Sequence, residues 1–298
     1  MALSTGAKAL INNCLSRAQL RLETTTAENN RRRRLTGLEA AGHFDRPAFP
    51  APESFNSPEY KRLLKLLQAY RDRLDTFNDP ANNDVGYTFE NSYFSSPDAE
   101  VLYAVVRSQQ PQTIVEIGSG NSTRLIRQAI VDAKGTSRLV SIDPRPRADI
   151  DALSDAIHKT PVENIGVEEL ASWFKTGDIL FIDSSHLAST GSDVVFLYLR
   201  LIPRLPAGTL IHAHDIWLPY DYPLQWAEDY QWNEQYLVQA MLSFGCGFDV
   251  LWAGHYLERA MVEFDRYFPY TRHQPALSLW LRKTTPGASG PPAVRETS

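Results

Sequence analysis

The stretch TIVEIGSGNST, residues 113–123, joins a short apolar run to a glycine turn and then to a polar helix start. Its first part is rich in β-branched residues, which is typical of a strand buried on both faces of a parallel sheet. Gly118 and Gly120 follow, and glycines in such a turn let the backbone approach a ligand while the next helix offers its free amide groups. Many tight turns contain a single G-x-G pattern, so the residues around it are needed to predict whether this turn binds a ligand.

Similar apolar runs recur along residues 97–285, and most are separated by segments with helical spacing. This alternation predicts a parallel sheet covered by helices on both faces. The last two runs follow each other without an obvious helix, which predicts an antiparallel edge. We therefore predict an α/β fold of the Rossmann-like type, with a seven-stranded, mostly parallel sheet, an antiparallel last strand and an N-terminal helical extension. The predicted strands are TIVEIG (113–118), RLVSIDP (138–144), PVENIG (161–166), DILFID (178–183), GTLIHAHDI (208–216), FDVLWAGHYL (248–257) and ALSLWLRKT (276–284).

The chain divides by composition into three segments. Residues 1–96 predict an N-terminal helical extension with a proline-rich linker, residues 97–285 the sheet domain, and residues 286–298 a disordered tail. The run Arg31–Arg34 lies in the extension, where it indicates either a solvated helix face or arm, or a site for phosphates or acidic lipid. Such an extension can build a homodimer or cover a pocket, and the sequence leaves both hypotheses open.

The totals describe an ordinary globular chain of 298 residues with a formal net charge of −5. Residues 1–40 hold seven basic and three acidic groups, so the negative charge lies in the rest of the chain. This balance excludes a general nucleic-acid binder. Two cysteines, Cys14 and Cys246, cannot form a disulfide framework, and no apolar run reaches membrane-spanning length. We predict a cytoplasmic protein without a membrane span.

Two acidic residues and one missing glycine indicate what the glycine turn binds. Glu116 lies in an otherwise apolar strand, where a carboxylate needs a cationic or hydrogen-bonding partner. Asp143 ends the second predicted strand, where an acid can hold both hydroxyls of a ribose. Thr123 replaces the third glycine of the dinucleotide fingerprint, which weakens a pyrophosphate-binding interpretation. S-adenosylmethionine, which has an adenosine, an amino acid and a sulfonium, suits this pattern better than a diphosphate.

On these residues the sequence resembles the class I S-adenosylmethionine-dependent methyltransferases. TIVEIGSGNST matches their first motif and LVSIDP their second, while GDILFIDSSH and GTLIHAHDI match the fourth and fifth strand segments. The resemblance covers about residues 97–285 and implies S-adenosylmethionine as the cofactor; the alternative is the same sheet without a cofactor. The cofactor-binding positions that we predict are Glu116, Gly118, Ser119, Gly120, Asn121, Asp143 and Asp183.

The segment LIHAHDIWLPYDYP places His212, His214 and Asp215 at the end of the fifth predicted strand. The fourth strand is its neighbour in this fold, so Asp183 and His186 should lie beside the last two of these residues. His212 lies further back in the strand and is predicted to be a structural residue facing the helix layer. A hydrolytic metal site is disfavoured, because the spacing differs from H-x-H-x-D-H and no further histidine follows nearby.

The two strand ends together resemble the metal-dependent O-methyltransferases, above all the group of methyltransferase-24, macrocin O-methyltransferase and cephalosporin hydroxylase-like proteins. The resemblance implies Asp183 and Asp215 as ligands of a divalent metal such as Mg²⁺, and His186 as the catalytic base. Asp183 is the alternative base if no metal binds. His214 stands where that group has an acid, and as a third ligand it would favour Mn²⁺, Fe²⁺ or Zn²⁺ over Mg²⁺.

Aromatic residues are dense after the fifth strand, and we predict that Trp217, Tyr220 and Tyr222 contact the substrate. The alternative is a hydrophobic loop on which the N-terminal helices dock. The predicted function is S-adenosylmethionine-dependent O-methylation of a hydroxyl on a sugar, a glycan or a small metabolite. Two other classes stay open, namely a non-catalytic module that binds a nucleoside or a partner on the same fold, and a metal-dependent oxygenase-like enzyme.

Overall fold

The computed structural model describes residues 5–20, 22, 24–83, 85–146, 149–245, 247–270 and 274–285. They form one seven-stranded sheet in the order β3-β2-β1-β4-β5-β7-β6, which confirms the predicted fold class. The strands are β1 (Thr113–Ile117), β2 (Arg138–Ile142), β3 (Ala156–His158), β4 (Ile179–Ile182), β5 (Leu210–Ala213), β6 (Phe248–Ala253) and β7 (Leu279–Lys283).

The first five strands run parallel, and β7 runs antiparallel to both of its neighbours. Ile117, the last residue of β1, pairs with Ile142 of β2 on one side and with Ile182 of β4 on the other. Ala213 of β5 pairs with the same Ile182. The carboxyl ends of four central strands therefore meet at one edge of the sheet, where ligands bind in folds of this type.

Helices cover both faces of the sheet, as the alternation of strands and helices predicted. Alternate strand residues point to opposite faces. Ile114 and Phe181 pack in one apolar cluster, while Val115 and Leu180 pack in the other. The helices are α1 (Thr5–Leu15), α2 (Thr26–Ala40), α3 (Glu59–Ala69), α4 (Arg71–Leu74), α5 (Asp98–Gln109), α6 (Asn121–Asp132), α7 (Val167–Ser172), α8 (Asp193–Phe196), α9 (Leu224–Asp229), α10 (Glu234–Phe244), α11 (Gly254–Ala260) and α12 (Phe264–Tyr267).

The prediction for the third strand was wrong. Residues 161–166 hold a short 3-10 turn at Val162–Asn164, and the third strand is formed by Ala156–His158, at the end of the segment ADIDALSDAIH. This strand has three residues and sits at the sheet edge, half-buried. Val162 packs beneath this loop in the second apolar cluster. Burial in a loop, and not strand pairing, therefore explains the apolar residue at this position.

The predicted proline-rich linker is packed against the sheet domain. Phe55, in the 3-10 turn Glu53–Asn56, is buried in the second apolar cluster. The backbone N–H groups of Ala48 and Phe49 both donate to the carbonyl of Pro219, at 3.0 Å each. Of the helices in the described ranges, none has the length and apolar character that crossing a bilayer requires. The residues predicted as a disordered tail, 286–298, lie outside the described residues, and the division into domains stays a prediction.

Candidate active site

The glycine turn runs tightly against the end of β4. Gly118 has a φ of +81°, and its N–H donates to the carbonyl of Ile142 at 3.0 Å. A Cβ added at Gly118 would lie 1.8 Å from the carbonyl oxygen of Asp183, so only glycine fits there. The turn therefore holds Asp183 against the first motif. Gly120 differs, because a Cβ at that position would meet nothing within 4 Å.

Asp143, which follows β2, is hydrogen-bonded to the glycine turn. One carboxylate oxygen accepts from the N–H of Ser119 at 2.9 Å and from its hydroxyl at 3.0 Å. The other oxygen accepts from the N–H of Arg145 at 2.7 Å. Asp143 and Ser119 both line one large cavity.

Glu116 lies beneath the turn and does not line the cavity. Its carboxylate accepts from the hydroxyls of Ser122 (2.8 Å), Thr123 (2.7 Å) and Ser141 (2.9 Å), and it is fully buried. Burial raises the pKa of Glu116 to about 7, against the opposing effect of these hydrogen bonds. These hydrogen bonds connect β1 to β2 and to the start of α6, so Glu116 stabilises the glycine turn without lining the cavity.

Asn121 has a similarly indirect position. Its side-chain amide donates to Asn91 at 3.0 Å, and neither Asn121 nor Gly120 lines the cavity. Ser92 and Tyr93, which follow Asn91, do line it. Asn121 therefore fixes the loop before α5 as one wall of the cavity.

Four polar side chains meet where β4 and β5 end. The Nε2 atom of His186 lies 3.5 Å from Asp183 and 3.3 Å from Asp215. The Nδ1 atom of His214 lies 3.8 Å from Asp183 and 3.5 Å from Asp215. His186 and Asp215 both have left-handed backbones, with φ of +59° and +58°. Residues other than glycine adopt this conformation rarely, and such residues are frequent at functional sites.

The charges in this cluster reinforce one another. Burial alone would raise the pKa of the Asp183 carboxyl, but His214 and His186 outweigh burial and hold this pKa below its usual range. Burial alone would lower the pKa of His186, yet the carboxylates of Asp183, Glu234 and Asp215 raise it to about 10. The pKa of His214 is raised in the same way by Asp215 and Asp183, against burial.

The donor atoms of the cluster fit a divalent cation. Asp183, His186 and Asp215 each offer one ligand atom, and these atoms lie within 4.8 Å of one another. The set combines two carboxylates with one imidazole, as suits Mn²⁺, Fe²⁺ or Zn²⁺ better than Mg²⁺. His214 was the predicted nitrogen ligand. Its Nε2 faces Asp98 at 3.4 Å, which leaves Nδ1 on the side of the cluster.

The cavity that joins these features has a volume of about 1120 Å³. It extends from Asp143 past the glycine turn to the four-residue cluster, and this volume exceeds the usual range for a single small ligand. The aromatic residues that line its far side are Trp226, Tyr230 and Trp232. The tight turn beside two acidic strand ends is the arrangement expected of the first two methyltransferase motifs.

Residues 115–216, from β1 to the end of β5, match the sequence model of a family described as a methyltransferase domain. This segment of the chain is similar to the methyltransferase domains that the sequence motifs indicated. The match includes the glycine turn, Asp143 and all four residues of the cluster.

Solved structures with a similar course of the chain include two S-adenosylhomocysteine complexes. The Podospora anserina methyltransferase PaMTH1 is 17% identical, the alignment covers 89% of this chain and 99% of that chain, and the TM-score is 0.41. The O-methyltransferase from Bacillus cereus is 12% identical, the alignment covers 76% of this chain and 92% of that chain, and the TM-score is 0.42. At such TM-scores the two likenesses add nothing to the family match. No curated protein sequence matches this chain.

The aromatic residues predicted to contact the substrate do not line the cavity. Trp217 and Tyr220 pack instead against the ring of the buried His255, with ring centroids 5.0 and 5.3 Å apart. Tyr222 is fully buried, and its hydroxyl accepts from the N–H of Gln235 at 3.3 Å. In the described part of the chain, none of these three side chains lines the cavity. The prediction that these three residues contact the substrate is therefore not supported by their positions.

His212 is a structural residue, as predicted. It is fully buried, its Nε2 lies 2.9 Å from the Ser278 hydroxyl, and its ring stacks on Phe181 with centroids 4.0 Å apart. Burial lowers its pKa well below the ordinary value.

Three acidic residues of the site were missed in the sequence. Glu234 contacts His186 at 2.7 Å, Asp98 contacts His214 at 3.4 Å, and Glu163 lines the cavity beyond Asp143. Glu234 and Asp98 are the first residues of α10 and α5, where an acid is expected for helix stability alone. Only the fold shows that they face the cluster.

Arg31, the first residue of the arginine run, contacts the end of α9. Arg31 donates to the carbonyls of Ala227 (2.8 Å) and Glu228 (3.2 Å), near the end of α9. Its guanidinium is held in turn by Glu28, and only 18% of its side chain is exposed, against 69% for Arg32. The expectation of a solvated arm was therefore wrong for Arg31, which supports the helix that carries Trp226.

Proposed function

We propose that the chain transfers the methyl group of S-adenosylmethionine to a hydroxyl of a sugar or another small metabolite, with a divalent cation at the cluster. The observation that supports this most is the continuity of the cavity, which joins the Asp143 end to Asp183, His186 and Asp215. A nucleoside-binding end and an acidic, histidine-containing end in one cavity suit a cofactor and an acceptor held side by side.

The nucleoside of the cofactor would lie at the Asp143 end. A carboxylate after the second strand can accept from both ribose hydroxyls, and Asp143 lines the cavity. Beyond it, Glu163 lines the cavity, and its Oε2 is buried without a hydrogen-bond partner among the described residues. A buried acceptor costs free energy unless it is satisfied, so we assign this oxygen to the exocyclic amino group of adenine.

The acceptor would lie between the cluster and the aromatic side of the cavity. Trp226 and Trp232 are 4.7 Å apart between ring centroids at nearly right angles, and Tyr230 stacks on Trp232 at 5.0 Å. Such faces bind the apolar side of a sugar or a flat ring. Trp232 also packs on His186, with centroids 4.3 Å apart, so an acceptor on this wall would have a hydroxyl near the cluster.

A divalent cation, when bound to Asp183 and Asp215 with a histidine nitrogen, would lower the pKa of the acceptor hydroxyl. If no metal binds, the hydroxyl proton would pass to Asp183, whose side chain is 32% exposed, against 5% for His186 and 10% for Asp215. The resemblance implied His186 as the base and Asp183 as the alternative without a metal, and the greater exposure of the Asp183 side chain supports the alternative in that case. The remaining requirement of methyl transfer is alignment of oxygen, methyl carbon and sulfur, which the walls of the cavity would impose.

Removal of the Asp143 carboxylate should weaken cofactor binding. We expect Asp143→Ala to lower the affinity for S-adenosylhomocysteine by about 10- to 100-fold, since two charge-assisted hydrogen bonds would be lost. Isothermal titration calorimetry measures this directly. Asp151→Ala is the control, because Asp151 is exposed and pairs only with Lys159 at the surface in the described part of the chain. Equal affinities in both variants would contradict the assignment of the ribose site.

The reaction itself is tested by incubating the protein with S-adenosylmethionine, Mn²⁺ and a panel of sugar, polyol and phenolic hydroxyl acceptors. Mass spectrometry of the acceptors then detects a gained methyl group. We expect methylation of at least one hydroxyl class and loss of methylation after treatment with a chelator. Tight S-adenosylhomocysteine binding with no methylated product under any metal condition would favour a nucleoside-binding module instead.

A further inference from the structure

We propose that His186 binds the divalent cation through Nε2, and that the buried carboxylate of Glu234 orients the imidazole for this. The metal site is then formed by Asp183, His186 and Asp215, with one nitrogen ligand. This inference rests on the proposed function for the role of the metal in catalysis. It assigns to Glu234, on α10, a positioning role outside the matched family segment, residues 115–216.

The start of α10 holds His186 at two points. The N–H groups of Asn233 and Glu234 both donate to the carbonyl of His186, at 3.0 and 3.2 Å. The Oε2 atom of Glu234 lies 2.7 Å from the Nδ1 atom of the same residue. With backbone and ring both held, the left-handed conformation of His186 is fixed, and its Nε2 can point only toward the ends of β4 and β5.

The contacts of Nε2 have the spacing of ligands around a common ion. This atom lies 3.5 Å from Asp183 and 3.3 Å from Asp215, beyond the usual length of a hydrogen bond. Atoms that bind one ion at about 2.1 Å and at right angles are about 3 Å apart. Small movements of the two carboxylates would therefore be enough for all three groups to bind one cation.

Glu234 has the properties of a carboxylate that supports a metal-bound histidine. Ligating histidines commonly give their second N–H to a carboxylate, which fixes the tautomer and raises the basicity of the ligand. Glu234 is fully buried, and its Oε2 lies 2.7 Å from the His186 ring. A buried carboxylate of this kind is costly unless it is paired, and His186 is the partner that the structure provides.

His214 is the competing nitrogen ligand, and its surroundings differ. Asp98, which faces its Nε2 at 3.4 Å, already accepts from the N–H groups of Leu277 (2.8 Å) and Ser278 (3.0 Å). The contact with His214 is correspondingly longer than the 2.7 Å contact between Glu234 and His186. His214 is therefore held less firmly for metal binding than His186.

Metal affinity is the first measurement. The full chain, without S-adenosylmethionine, is titrated with Mn²⁺, and free Mn²⁺ is followed by electron paramagnetic resonance. We expect Glu234→Gln to weaken Mn²⁺ binding by about 10- to 100-fold. The control Glu100→Gln removes the charge of another fully buried glutamate, which accepts from the Ser96 hydroxyl at 2.6 Å, and should leave Mn²⁺ affinity unchanged.

The identity of the nitrogen ligand is tested spectroscopically. This second test does not use Glu234→Gln, so it still decides the inference if that variant fails to fold. Electron spin-echo spectra of bound Mn²⁺ show a modulation from a directly bound histidine nitrogen. We expect this signal in the wild type and in His214→Gln, and its loss in His186→Gln, whose folding is checked by S-adenosylhomocysteine binding.

Two results would overturn the inference. One is a nitrogen modulation that persists in His186→Gln, and the other is equal Mn²⁺ affinity in Glu234→Gln and the wild type. A wild type that binds S-adenosylhomocysteine but no Mn²⁺ would also overturn it while leaving methyl transfer intact. Failure of the wild type to bind S-adenosylhomocysteine would instead contradict the proposed function.

Discussion

Gly118→Ala is expected to prevent stable folding or to abolish cofactor binding. The added methyl group would lie 1.8 Å from the backbone oxygen of Asp183, and a backbone atom cannot turn aside as a flexible side chain can. In addition, the φ of +81° is unfavourable for alanine. Relief requires β1 and the end of β4 to separate, which should cost about 4 kcal/mol or more. Thermal unfolding with and without S-adenosylhomocysteine measures both effects.

Gly120→Ala is the matched control for this variant. Gly120 lies in the same turn, but an added Cβ at that position meets nothing within 4 Å. We expect a melting temperature close to that of the wild type. If both variants melted alike, the close approach of the turn to Asp183 would not be the reason for glycine at position 118.

Asp183→Asn is expected to lower turnover by between about 10²- and 10⁴-fold while the affinity for S-adenosylhomocysteine changes by only a few-fold. Asparagine keeps the shape of the side chain but removes the carboxylate that is proposed to bind the metal or, without a metal, to accept the hydroxyl proton. It also removes the carboxylate that lies within 4 Å of His186 and His214. Turnover is measured on the acceptor found in the panel, and affinity by calorimetry.

Asp249→Asn provides the comparison for Asp183→Asn. Asp249 is an exposed residue of β6, a strand at the far edge of the same sheet, so its loss of charge should leave turnover unchanged. A turnover in Asp183→Asn within a few-fold of the wild type would remove Asp183 from the chemistry and leave it a structural role at the end of β4.

The sheet could be predicted from the sequence where strands are buried on both faces. β1, β4 and β5 are short, mostly apolar runs, as is typical of strands buried on both faces of a parallel sheet. β3 could not be found this way, because three half-buried residues at a sheet edge show no hydrophobic pattern. The apolar residues of the nearby PVENIG segment fill a loop, and apolar character alone does not distinguish a buried loop from a buried strand.

The site was predictable as far as strand topology determines it. Asp183 and Asp215 follow neighbouring parallel strands, so their proximity depends only on the strand order. Contacts made by helices after β5 depend on the path of the chain, which the sequence does not indicate. The sequence shows many aromatic residues after β5. Which of them face the cavity could not be predicted, because this depends on how α9 and the loop before α10 pack.

We propose that the cavity binds S-adenosylmethionine beside a metal site. The most direct test of this binding is calorimetric titration of the chelator-treated protein with S-adenosylhomocysteine, with and without Mn²⁺ or Mg²⁺. We predict micromolar binding in every condition, together with separate binding of Mn²⁺ that is tighter than binding of Mg²⁺. No binding of S-adenosylhomocysteine in any condition would contradict the claim, because the cavity between Asp143 and Asp183 would then serve another ligand.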